Sequence, residues 1–208
     1  MPEPLETPPP APAAAEAPSE AMVLARQAAS GDGSATAKLL RLLAPRMSRV
    51  VRAVLGAGNP DVDDVLQLSL IGLVQALPAF RGECDPAGYA ATIAVRTALA
   101  SRKRTKLQRS RVADDVEPDT QLGHEPSPPE HADAERRKEL VRELLAELPP
   151  EQAETLAMRV MLGWSREEIA EYTKAPVNTV RSRMRLAKEA LKRRIEADPA
   201  LLAALEVP

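Results

Sequence analysis

From about residue 112 to residue 131 the chain changes character. Pro118, Pro126, Pro128 and Pro129 stand among acids, and no apolar residue recurs at a helical or strand period. Such a segment cannot bury enough apolar surface to offset the entropy of ordering it, so it is expected to be a flexible interdomain linker. It cuts a chain of 208 residues into two short halves, each with room for only a modest core. Two compact modules on an acidic tether fit better than one large fold.

The residues available to those halves favour helix. Ala and Leu dominate, aromatics are 2% of the chain, and β-branched runs are few. The expected fold class is all-α, as two small helical domains. With one cysteine, Cys84, and two histidines, neither a disulfide framework nor a Cys/His zinc cluster can be built within the chain, and a reducing cytosol is implied. No Gly-rich phosphate loop, triad-like motif or metal spacing is present, so no cofactor, no metal and no enzymatic activity are expected. A soluble, unexported, cytoplasmic protein without membrane insertion is expected, since no uninterrupted apolar run of spanning length and no leader pattern occur.

The formal net charge is only −2, but the charges are segregated. Arg96, Arg102, Lys103, Arg104, Lys106, Arg109 and Arg111 form a run without an acid, whereas Asp114 to Glu135 contains eight acids and no Lys or Arg. A basic stripe of this kind is an electrostatic footprint for nucleic acid.

Residues 1–19 are mostly Pro, Ala and Glu and are expected to form a disordered tail. The first domain is placed at residues 20–111. It starts with a helix to about Ser30 that ends at Gly31-Asp32-Gly33, followed by one with Ser34 as N-cap and Pro45 as a kink or break. Asp61, Asp63 and Asp64 open a helix running to about Leu77, and Asp85-Pro86 opens the next. The second domain is placed at residues 132–196, with a break at Leu148-Pro149-Pro150 and a C-terminal tail at 197–208.

Within that second domain, Ser165-Arg166-Glu167-Glu168 is a capping box. Ile169, Ala170 and Tyr172 follow, Thr173 to Pro176 form a turn, and a longer helix carries Val177, Val180, Met184, Ala187 and Leu191 on one face. Asn178, Thr179, Arg181, Ser182 and Arg185 are left outside, at the end of the helix that meets base edges and phosphates in a helix-turn-helix. A solvated amphipathic hairpin would also carry an exposed basic face. It would not need the capping box, the small Ala170 and the tight turn together.

With these motifs in place, the chain resembles bacterial RNA polymerase sigma factors of the extracytoplasmic-function (ECF) type, over about residues 20–108 and 135–196. "LAELPP" followed by "GWSREEIAEYTKAPVNTVRSRMRLAKEAL" resembles region 4, which reads the −35 promoter element. "DVDDVLQLSLIGLVQALPAFRGE" is similar to region 2, which docks on the polymerase clamp and reads and melts the −10 element. The resemblance implies clamp binding through Asp63, Asp64, Leu66, Gln67 and Leu70. It implies −10 contacts from Phe80, Arg81, Gly82 and Glu83 and from Tyr89, Arg96, Arg102 and Lys103 on the following helix. In region 4 the matching DNA-facing positions are Thr179, Arg181, Ser182 and Arg185. Core RNA polymerase and promoter DNA are the implied partners, and an anti-sigma factor is a partner such proteins commonly have.

The sequence departs from the family in three places. Tyr89 is alone where several aromatics are usual, Leu68 replaces an acid after Gln67, and Lys174 stands at a turn position that is often Gly. A left-handed Lys174 would cost on the order of 1 kcal/mol. Two other readings fit part of the sequence: a dimeric helix-turn-helix regulator, and a sigma-like adaptor that binds polymerase without melting DNA.

Overall fold

The computed structural model describes residues 19–113, 129–199 and 201. The proline-rich tail, most of the acidic linker and most of the C-terminal tail lie outside the described residues. Among those described, all regular structure is helical.

The first unit consists of α1 (Glu20–Ala29), α2 (Gly33–Leu55), α3 (Val62–Ala76) with a 3-10 turn at Leu77–Ala79, and α4 (Pro86–Ala113). The N-cap of α2 is Asp32 rather than the expected Ser34. Its carboxylate accepts from the backbone of Ser34 at 2.7 Å and Ala35 at 3.0 Å, satisfying two donors that a Ser34 cap would leave outside the helix. Pro45 does not break α2, because it lies on the solvent face while Leu39, Leu43, Met47, Val50 and Val54 anchor the other. The carbonyl that loses its partner can then turn to water. In α4, Ala90, Ala91, Ala94 and Ala98 are buried together with Val95. Small side chains at helical spacing let α2 and α3 approach closely. The buried hydroxyls of Ser69 and Thr92 are satisfied inside their own helices, by the carbonyls of Val65 at 2.7 Å and Gly88 at 3.1 Å.

The second unit consists of α5 (Pro129–Glu147), α6 (Pro150–Met161), α7 (Arg166–Thr173) and α8 (Val177–Glu196). Leu145, Leu148, Leu156, Met158, Trp164, Ile169, Val180 and Ala187 form its buried centre.

The two units lie against each other: α4 packs on α5, α6 and α7. Arg96 meets Glu154 at 2.6 Å, Arg102 meets Glu139 at 2.7 Å, Lys106 meets Glu147 at 2.7 Å and Glu83 meets Lys174 at 3.2 Å. Arg142 of α5 donates to the carbonyl of Ala53 at the end of α2, at 3.0 Å. α7 also meets α4, where a Cβ added at Gly88 would collide with the Tyr172 ring. A linker pattern in the sequence predicts the division into two units and carries no information about this contact.

Candidate nucleic-acid interface

The helix-turn-helix is built as its motif requires. Ser165 Oγ accepts from the Glu168 backbone at 3.1 Å, and the Glu168 carboxylate accepts from the Ser165 backbone at 2.7 Å. These bonds to Ser165 hold the Glu168 carboxyl below its ordinary value. Trp164, just before the cap, is buried and stacks on Tyr172 with ring centroids 4.6 Å apart. The turn passes through Lys174, whose φ of 54° and ψ of 33° are left-handed. It is the only non-glycine with positive φ among the described residues.

In α8, Val180 and Ala187 are buried, while Asn178, Arg181, Ser182 and Arg185 are exposed and Thr179 is half-buried. Arg181 lies 3.5 Å from the side-chain oxygen of Asn178, and Arg185 pairs with Glu189 at 2.7 Å. Exposed pairs of this type are weak and readily exchanged for other anions.

The loop before α4 turns at Gly82, whose φ is +71°. Arg81 and Glu83 are exposed, whereas Phe80 is buried with its ring 5.3 Å from that of Tyr89. A cavity of about 290 Å³ opens here, lined by Phe80, Arg81, Glu83, Cys84, Tyr89 and also by Lys174 of the second unit. Burial pushes the Cys84 thiol up, keeping it protonated near neutrality, and burial likewise raises the Tyr89 hydroxyl.

Along α4 the basic candidates divide. Lys103 is exposed, and Arg96 is half-exposed but engaged with Glu154. The side chain of Arg102 is only 9% exposed and bridges the Leu55 carbonyl, at 3.0 Å, and Glu139.

On α3, Asp63, Asp64 and Gln67 are exposed, with Leu66 and Leu70 half-buried beneath them. Leu68, Ile71 and Val74 are also exposed, and a groove of about 370 Å³ runs between Leu40, Gln67, Leu70, Ile71 and Val74. Leu40, Ile71 and Val74 were not among the sequence candidates. The signal was that α3 is apolar around more of its circumference than one core-facing stripe needs.

A helix-turn-helix with an exposed basic outer face, coupled to a second helical unit with a basic helix and an exposed apolar groove, is the architecture of a DNA-binding protein. Residues 39–108 match the family Sigma-70 region 2, and residues 138–191 match Sigma-70, region 4. The chain is 30% identical over 167 residues to the ECF RNA polymerase sigma-E factor of Salmonella typhimurium, covering 76% of this chain and 87% of that one. It is 29% identical to the protein of the same name in Haemophilus influenzae, covering 76% and 88%. Among solved structures it is similar to CnrH in complex with the cytosolic domain of CnrY, with 21% identity, a TM-score of 0.49, and coverage of 86% and 99%. The chain belongs to the ECF sigma factors of bacterial RNA polymerase.

Proposed function

We propose that the chain directs core RNA polymerase to promoters by dividing the task between its two units, residues 20–111 and 132–196. Asp63, Asp64, Leu66, Gln67 and Leu70 dock α3 on the polymerase clamp, helped by the apolar edge of Ile71 and Val74. The loop Phe80 to Glu83, with Tyr89, Arg96 and Lys103, handles the −10 element. Asn178, Thr179, Arg181, Ser182 and Arg185 read the −35 element in the major groove. The protein works in the cytoplasm by binding alone, and the chemistry of transcription belongs to polymerase.

The observation that carries this reading is the pairing of two surfaces of different chemistry on one chain. The exposed apolar groove on α3 suits a protein partner, and the polar, basic outer face of α8 suits DNA. A dimeric regulator would use the second surface and leave the first without purpose.

The adaptor reading draws on one specific observation: Phe80 is buried and Tyr89 is half-buried against it, so few aromatic faces are available to hold unstacked bases. Run-off transcription from a promoter library with purified core polymerase separates the two. Initiation at discrete sites supports the sigma factor. Polymerase binding without initiation anywhere favours the adaptor.

A further inference from the structure

We propose that the outer face of α2 is a third nucleic-acid surface, which holds the phosphate backbone of duplex DNA without regard to sequence. It lies apart from the residues assigned above to the clamp and to the two promoter elements. Lys38, Arg41, Arg46, Arg49 and Arg52 are all exposed on α2, and no Asp or Glu occurs between Gly33 and Leu55. At about 100° per residue the five fall within an arc of about 140°. Pro45 stands among them, and the buried Leu39, Leu43, Met47 and Val50 lie on the other side of the helix. Leu40, which lines the groove beside Gln67 and Ile71, falls outside that arc, so the two surfaces are separate.

What marks this face is that no carboxylate answers its charge. Arg96, Arg102 and Lys106 of α4 each meet an acid, and so do Arg185, Lys192 and Arg194 of α8. None of the five cations of α2 forms an ion pair among the described residues. Lys38 and Arg41, Arg46 and Arg49, and Arg49 and Arg52 stand three residues apart, a spacing at which like charges repel on a helix. A helix that keeps this repulsion, in a chain whose formal net charge is −2, points to an anion outside the chain. The rest of the face favours phosphate over an acidic protein. All but Lys38 are arginines, whose planar forks match phosphate oxygens. Leu42 is the only large apolar side chain exposed on α2, so the buried anchors that a protein interface needs at its centre are missing. From Lys38 to Arg52 the stripe rises about 21 Å, the axial length of about six phosphates of one DNA strand.

The test uses the full chain without polymerase and a short random-sequence duplex, titrated over a range of salt concentrations. Arg41→Gln, Arg49→Gln and Arg52→Gln together remove three charges at exposed positions where glutamine forms helix about as well as arginine. The triple variant should keep its helix content and melting temperature. It should bind the duplex at least about tenfold weaker at about 0.1 M salt, and the slope of log affinity against log salt should shrink by about 2–3. Lysine at the same three positions should restore the slope, because charge alone carries the counterion effect. Unchanged slope and affinity in a triple variant of normal helix content would overturn the surface, as would a wild-type chain that does not bind the duplex. Loss of polyglutamate affinity with duplex affinity intact also overturns it, and assigns the stripe to an acidic protein. If the triple variant loses helix content, Arg41→Gln and Arg49→Gln alone decide: each should lower the slope by about 1, and slopes equal to wild type sink the proposal. Because no readout involves polymerase, failure of the sigma factor reading would show separately, as absent run-off transcription with duplex binding by α2 intact.

Discussion

Arg102 and Glu139 meet at 2.7 Å although 37 residues separate them in the chain. The same guanidinium holds the last-turn carbonyl of Leu55, where the dipole of α2 is negative. With its side chain 9% exposed, Arg102 has little freedom to leave for a phosphate. Arg102→Ala is therefore expected to lower unfolding stability by about 1–3 kcal/mol, since a charged hydrogen-bonding group is lost from a largely buried place. Denaturant titration measures this. Loss of promoter affinity at unchanged stability would return Arg102 to the DNA contacts implied by the family.

The exposed arginines of α8 should behave in the opposite way. Arg181→Ala or Arg185→Ala is expected to weaken binding of −35 duplex by about 1–3 kcal/mol if a base contact is lost, without changing affinity for core polymerase. Gln67→Ala should weaken polymerase binding and leave the duplex affinity alone. Equal loss of both affinities in any of the three would count against separate surfaces.

Ser165→Ala removes one half of the capping box and should cost about 1 kcal/mol, read as a lower melting temperature. The Glu168 carboxyl should also rise back toward its ordinary value. Because its folded value is depressed, its share of stability is present above the unfolded value and is lost as pH falls through the folded one. In Ser165→Ala this acid-side loss should be smaller, which carbon NMR of the carboxyl can follow.

Lys174→Gly relieves a left-handed residue at the cost of one exposed ion pair. The strain is on the order of 1 kcal/mol, and the pair with Glu83, whose side chains are 60% and 55% exposed, contributes less. A net rise in melting temperature is expected. A fall would mean that the Glu83 contact is worth more than its exposure suggests.

Tyr172 offers an alkaline readout. Burial pushes its hydroxyl up to about 12. A raised folded value means the stabilising share is intact below the ordinary value of 10 and is lost as pH climbs from 10 toward 12. Ultraviolet titration of the tyrosinate should show ionisation in Gly88→Ala returning toward 10, while the wild type titrates late.

The parts of this architecture written locally were legible in the sequence. Ser165 to Glu168 marked a helix start because both partners of the capping box lie three residues apart, and Asp85-Pro86 did the same for α4, where Asp85 accepts from Gly88 at 3.0 Å. Lys174 was recognisable as the residue on which a left-handed turn would fall. What was hidden depends on distance along the chain. Nothing near Glu139, Glu147 or Glu154 indicates that each meets a cation of α4, and nothing beside Gly88 indicates that Tyr172 stands over it. Pro45 misled in the other direction, since its effect depends on which face of α2 it occupies, and that is decided by tertiary packing.

The window Val62–Ala79 has a mean hydropathy of 1.3, enough by length and composition to cross a membrane, yet only 28% of it is buried. Its exposed Leu68, Ile71 and Val74 are a surface that a chaperone or protease sampling apolar helices would meet, and a partner bound there would withdraw them from that competition. If α3 docks on polymerase as proposed, survival of the unbound chain would be tied to how much polymerase is free to cover that helix. The same atoms would then both recruit the enzyme and set a clock on the subunit that fails to find it.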